Sequence, residues 1–321
     1  MKKSSLHLLR ALFLSTLTAV SCAQEETTRQ KGHYPPNTEQ EANAEFIRFT
    51  SESEGEGVLE TAIVTYKGED GEVVELVSAV HIADMTYYKR LEELFKTYDS
   101  LLYEMVKAKD AVIPAPKRTG LTESTSIVGG FQRFMRDSLD LEFQLDAIDY
   151  RAKNFVHADL DHETFEKLSE ERGESLLTLL LRSATAQYQR QAAGESKSDP
   201  FLGIKMLAAF FQPDSARSLK FLLAKELQNM EEILAGLGGG EDGKGSVILT
   251  ERNKELMRVL RDRLARGEKK IGVFYGGAHM PDVEQRIFAE IGLKRSGVRW
   301  ERAWLIEKKP TKKKDKGDKD N

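Results

Sequence analysis

The chain's strand-like segments stand near its two ends, and its helical segments lie between them. VLETAIVTY and EVVELVSAV are β-rich runs around GEDG, a polar, glycine-bearing turn, which is the pattern of a hairpin. Far along the chain, KKIGVFYGGAHM reads as a buried strand, and GVRWERAWLIE reads as a closing strand that alternates Val298, Trp300, Arg302 and Trp304. Strands need partners for their backbone groups. Two remote groups of strands therefore predict one sheet that closes only when the ends of the domain meet.

The stretch after the hairpin sharpens the fold class. ADMTYYKRLEELFKTYDS carries Tyr88, Leu91, Leu94 and Phe95 at helical spacing, with Asp84 as the candidate N-cap, and SLLYEMV returns to a strand pattern. Strand, helix, strand predicts a parallel βαβ unit. A loop with two prolines, KAKDAVIPAPKRTG, interrupts the pattern. From about residue 124 to 265 the chain reads as mostly helical, in ESLLTLLLRSATAQYQRQ, FLGIKMLAAFFQ, DSARSLKFLLAKELQNMEEILAGL and SVILTERNKELMRVLRDRLAR, with FVHADL as one strand candidate among them. PDVEQRIFAEI reads as a helix opened by Pro281. The expectation is an α/β fold: a central mixed β-sheet built from residues 57–106 and 269–307, flanked by helices, with a large helical insert at 124–265 and no internal repeat.

The termini read differently. Residues 1–23 combine the positive start MKKSSLHLLR, the apolar run ALFLSTLTAV and small residues, the pattern of a secretory signal. TAVSC resembles a bacterial lipobox, with Cys22, the one cysteine, as the lipidated residue, although Ala19 stands where leucine is usual. Cleavage after Ala23, discarding Cys22, is the alternative. The expected protein is exported and bacterial, either a lipoprotein on a membrane surface or a free periplasmic or extracellular protein. Residues 24–56 are polar with a Pro-Pro pair and read as a linker, and 308–321, with seven lysines and three aspartates, as a disordered tail. Beyond the signal, no apolar run approaches the roughly 20 residues of a membrane-crossing helix. Loss of Lys2, Lys3 and Arg10 takes the net charge from −4 to −7, which excludes nucleic acid as the expected partner.

Two segments share one order of residues: apolar strand, small residues, histidine, then a helix start carrying an acid. They are LVSAVHIAD, with His81, and VFYGGAHMPD, with His279. Open α/β sheets collect ligands beyond the carboxyl ends of their strands. A third strand end, SLLYEMV, delivers Glu104 inside an otherwise apolar run, a carboxylate that is costly to bury unpaired. Each histidine alone reads more readily as a cap or brace for a helix N-terminus, and Glu104 alone suits an edge strand. Together, two imidazoles and a carboxylate at three strand ends form a candidate divalent-metal site with open positions for water and substrate. Other sets were weighed. His157, Asp159 and His162 in FVHADLDHETF are metal-capable residues, but Asp161 suits an N-cap and the helix it starts would turn His162 away. AGLGGGEDGKGS approaches a phosphate-binding loop at Gly238, Gly243 and Lys244, but Gly245 replaces the needed Ser or Thr and a helix precedes it.

SAVHIADMTYYKRLEELFKTYDSLLYEMV and GGAHMPDVEQRI resemble the two core motifs of the TraB/PrgY family, also called TraB/GumN, which is related to the Tiki Wnt proteases and to ChaN-like and erythromycin-esterase-like proteins. That family carries two G-x-x-H motifs and a glutamate about one βαβ unit after the first. The second motif is Gly276, Gly277, Ala278, His279; the first departs by a residue, as Ser78, Ala79, Val80, His81, and Glu104 matches the glutamate. QLDAIDYRAKNFVHADL and LTERNKELMRVL also resemble TraB-like segments, the latter placing Arg252 beside the pocket. The resemblance covers most of residues 57–307. It implies a metal-dependent hydrolase of peptide or other acyl bonds, with a divalent metal ion on His81, Glu104 and His279, Glu104 as ligand or base, and Arg252 on the oxyanion or a substrate carboxylate. It equally implies a non-catalytic peptide-binding or pheromone-shutdown protein, and more distantly a ChaN-type haem protein, for which the sequence has no haem motif. Substrate, metal identity and oligomeric state are not readable from the sequence.

Overall fold

A computed structural model describes residues 45–53, 55–113, 115–116, 139–174, 215–237 and 245–307. In chain order these form β1 (Ile47–Ser53), β2 (Glu56–Lys67), β3 (Val73–Ala79), β4 (Ile82–Ala83), α1 (Met85–Phe95), β5 (Ser100–Tyr103), β6 (Glu142–Phe143), α2 (Gln144–Ala147), β7 (Phe155–His157), α3 (His162–Glu171), α4 (Ser215–Leu237), α5 (Arg252–Ala265), β8 (Lys270–Gly276), α6 (Met280–Arg286) and β9 (Lys294–Ile306). Seven of the strands make one mixed sheet. The β2–β3 hairpin forms as expected, pairing Lys67 with Val73. β9 runs antiparallel along β2 from Gly57 to Lys67, so its other edge is shared end to end by β1, over residues 56–61, and β3, over 63–67. From β3 the sheet continues through β8 and β5 to β7, all mutually parallel.

The fold class read from the sequence is therefore the one observed, a mixed α/β sheet flanked by helices. Strands alternate their side chains between two layers. On one face Val77, Leu101, Tyr103 and Phe274 pack with Tyr88, Leu91 and Phe95 of α1 and Leu219 of α4. On the other, Leu76, Leu102, Val273 and Tyr275 pack with Leu256, Met257 and Leu260 of α5 and Val283 of α6. α1 joins β3 to β5 as expected, but the two strands do not touch, because β8 inserts between them. Gly272 makes the room: a Cβ there would stand 2.6 Å from the Tyr98 ring and 2.7 Å from Leu101.

Several expectations are corrected. The fold does not start at Gly57, and the 24–56 segment is not all linker, since β1 pairs with β2 and buries Ile47. Nor do the ends supply every strand: β7, the FVHADL candidate inside the expected insert, pairs with β5. Asp84 occupies the N-cap of α1 without capping it. Its carboxylate instead accepts from Lys220 Nζ at 2.7 Å and the Leu305 N–H at 2.8 Å, tying α4 and β9 to the helix start. The alternation of β9 breaks where pairing skips Ala303, and Trp304 beyond that bulge is buried while Arg302 is exposed. The signal, Cys22, the tail, residues 175–214 and Gly238, Gly243 and Lys244 lie outside the described residues. No helix among the described residues is long and apolar enough to cross a membrane.

Candidate functional site

β3, β8, β5 and β7 deliver their carboxyl ends to one edge of the sheet, and each end supplies a polar residue. His81 follows β3, Glu104 follows β5, Asp159 follows β7, and His279 closes the tight turn Gly277–His279 after β8. Alternation sets the direction of Glu104. Tyr103 belongs to the α1 side, so Glu104 turns to the α5 side, where Arg252 opens the helix. Arg252 follows a π-helical turn, Val247–Glu251, started by the Ser246 hydroxyl accepting from the Leu249 N–H. Such widened turns recur at functional sites.

Arg252 is buried and meets two carboxylates. Nε donates to Asp159 Oδ1 at 2.9 Å, and Nη2 donates to Asp159 Oδ2 at 2.6 Å and Glu104 Oε1 at 2.7 Å. This is a two-pronged, charge-assisted pair. Nη1 is the least committed donor, because its contacts with the Ile248 carbonyl and His279 Nε2 are both 3.4 Å long. Burial would raise the Glu104 pKa, but His279, its hydrogen bond, Arg252 and His81 outweigh burial and hold the carboxyl well below its usual range. Burial likewise disfavours the charged guanidinium, yet the Asp159 and Glu104 contacts prevail and raise the Arg252 pKa further. Glu104 Oε2 accepts from the Gly276 N–H at 2.7 Å.

Both histidines are oriented by side-chain amides. His279 Nδ1 stands 2.7 Å from Asn253 Oδ1. The Asn253 amide Nδ2 donates to the His279 carbonyl and to Asp282 Oδ2, which fixes its orientation and makes Nδ1–H the donor to Oδ1. His279 Nε2 then faces Glu104 Oε1 at 3.5 Å. The Tyr275 ring packs edge-on against this imidazole, and its hydroxyl donates to the Ala158 carbonyl. His81 Nδ1 lies 3.2 Å from Gln144 Oε1, and Gln144 Nε2 donates to the Tyr150 hydroxyl. A Cβ at Gly276 would stand 3.3 Å from both His81 Nε2 and Glu104 Oε2. Glycine leaves that gap open.

His81, Glu104, Arg252 and His279 share the wall of one cavity of about 440 Å3. The two ends of the domain therefore do meet at the expected residues. Arg252, although flanked by the polar residues Glu251 and Asn253, is buried and not a surface cation. Ser78, which stands where the resembled motif has glycine, turns its hydroxyl toward Gly277, and the buried oxygen has no hydrogen-bond partner among the described residues. Sequence reasoning missed the role of Asp159, which it considered only with His157 and His162. His157 Nε2 instead meets the Met105 carbonyl at 2.6 Å, and His162 is exposed beside Glu166. Asp161 caps α3 as expected, accepting from the Thr164 N–H at 3.0 Å. The sequence signal for Asp159 was its place just beyond a short strand.

The donor chemistry suits a divalent ion, because each imidazole has Nδ1 engaged by an amide oxygen and Nε2 left as a lone pair, with a carboxylate nearby. As the side chains stand, Arg252 is already on Glu104, and no group of three His, Cys, Asp or Glu among the described residues is gathered closely enough to hold an ion. No protein-family model and no curated protein matches the chain, so the site is argued from its own geometry.

Proposed function

We propose that this chain is a TraB-like hydrolase of peptide or other acyl bonds, exported and working at the cavity of His81, Glu104, Arg252 and His279. The observation that carries the reading is the oriented His279 imidazole beside ionised Glu104, with the loosely held Arg252 Nη1 on the same cavity wall. His279 Nε2 takes a proton from water, and Asn253 keeps its ring in place. Glu104 stabilises the imidazolium that forms, which then protonates the leaving group. Arg252 Nη1 donates to the oxygen on which negative charge develops. A divalent ion, when bound, would be held by His81, Glu104 and His279, with His279 then a ligand through Nε2 rather than the base, and would polarise the carbonyl and acidify its water. A second reading, a non-catalytic peptide-binding protein, is favoured by the pairing of Arg252 with two carboxylates, an arrangement that also suits a purely structural cluster.

Digestion of an unbiased peptide library and a panel of esters, with and without chelator, tests this directly. Cleavage by the wild type that chelation abolishes establishes a metal-dependent hydrolase, and cleavage that survives chelation establishes a metal-free one. Absence of cleavage by metal-loaded protein rejects the hydrolase and leaves the binding protein. Gly276→Ala offers a finer check. Its methyl enters the gap between His81 and Glu104, so turnover should fall on the order of tenfold to a hundredfold through misplacement alone. The stability loss should stay under about 1.5 kcal/mol, because the crowded atoms are side-chain ends. Parallel kinetics and urea melts measure both.

A further inference from the structure

We infer that the cavity takes an uncharged acyl group on an apolar chain and discriminates against the corresponding free carboxylate. Away from its polar floor, the wall is built by Ile47 of β1, Leu223 and Leu227 of α4, Ile248 and Leu249 of the π-helical turn, and Trp304 of β9. Its volume of about 440 Å3 falls in the range of roughly 300–1,000 Å3 that encloses small organic ligands. A wall of this composition stabilises hydrocarbon and offers a polar chain nothing to replace its water.

The floor sets the charge of the reacting end. Arg252 contributes one positive charge against two negative charges on Glu104 and Asp159, a sum of −1 for these three side chains in the metal-free protein. Tyr275, packed edge-on against His279 behind this wall, is held neutral by burial, which pushes its phenol well above the ordinary value. A carboxylate entering here meets net negative charge in a poorly screened space, whereas an ester or amide carbonyl can take Arg252 Nη1 from its two long contacts without bringing in a charge. For the reaction, this rests on the hydrolase reading. The water oxygen bonds to the acyl carbon, the ester C–O bond breaks, the leaving oxygen takes one proton, and the new acid gives its own to solvent. The product is then the species the floor repels, so charge favours its release.

The experiment uses full-length protein kept metal-free with chelator, with Trp304 in the cavity wall as the fluorescent reporter and calorimetry as an independent readout. Octanamide and octanoate are titrated at about pH 8, where free imidazole is neutral and an alkanoic acid is ionised. Octanamide should bind at least about tenfold more tightly than octanoate, a difference one unscreened charge readily supplies. Asp159→Asn removes one negative charge and should narrow that ratio to near unity. Leu227→Lys, at a partly exposed wall position, should raise octanoate affinity and lower that of octanamide, and it decides the matter if the Asp159 variant does not fold. Equal binding of the two ligands, tighter binding of octanoate, or binding of neither overturns the inference. p-Nitrophenyl octanoate and acetate separate it from the reaction. Octanamide bound with the octanoate ester uncleaved rejects the hydrolase and keeps the pocket assignment. Equal cleavage of both esters without octanamide binding does the reverse.

Discussion

Replacing Arg252 with methionine will destabilise the protein by roughly 3–5 kcal/mol, because removing one partner of a buried ion pair leaves the other charge uncompensated. Methionine keeps most of the stem's bulk, so the loss reports charge more than packing. Glu104 and Asp159 remain behind, both with side chains no more than 10% exposed. The sign of the pH dependence follows from Glu104. In the wild type its folded pKa lies well below the ordinary 4.5, so its contribution is present above that value and lost as pH falls through the depressed one. Without Arg252 one of the influences opposing burial is gone while those of His279 and His81 remain, so the carboxyl titrates higher than in the wild type and the variant recovers part of its loss as that carboxyl protonates. The penalty is therefore largest at neutral pH and becomes smaller in acid, as the Glu104 carboxyl of the variant protonates before that of the wild type. Urea melts at neutral and acidic pH test this; a loss under about 1 kcal/mol at neutral pH, unchanged on acidification, would show that the cluster carries no such charge coupling.

Strong local patterns made part of this molecule legible. The hairpin, α1 and β8 are marked by apolar period and turn residues, and the structure places them where those signals lie. Strand order is set elsewhere. β8 separates β3 from β5, with Gly272 seated against Tyr98 and Leu101, a contact between segments distant in the chain. β1 escaped notice because FTSESEGEG is dominated by polar residues, although one edge of β2 needed a partner along residues 56–61. Asp84 has the chemistry of a cap, and long-range bonds to Lys220 and Leu305 took it over. The site divides in the same way. His81, Glu104 and His279 announce themselves at the ends of recognisable strands. Asp159 follows a strand of only three residues, and its meaning appears only when α5 brings Arg252 against it.

His279→Ala separates site from scaffold. Turnover should fall on the order of a hundredfold to ten-thousandfold, the contribution of a positioned acid–base group. The stability loss should be about 1–2 kcal/mol, that of one buried hydrogen bond and a little packing. Three features keep it small. Asn253 retains its bond to Asp282, the cavity beside the imidazole admits water to Asn253 Oδ1, and Glu104 keeps Arg252 and the Gly276 N–H. Leu256→Ala, in the fully buried layer under α5, is the contrasting core truncation and should cost roughly 2–5 kcal/mol with little direct effect on chemistry. Asn253→Ala should lower turnover through a misoriented imidazole, and its pH–rate profile should shift, which a purely structural contact would not produce. Equal melting losses in the His279 and Leu256 variants, with turnover of the His279 variant unchanged, would assign that histidine to bracing α6.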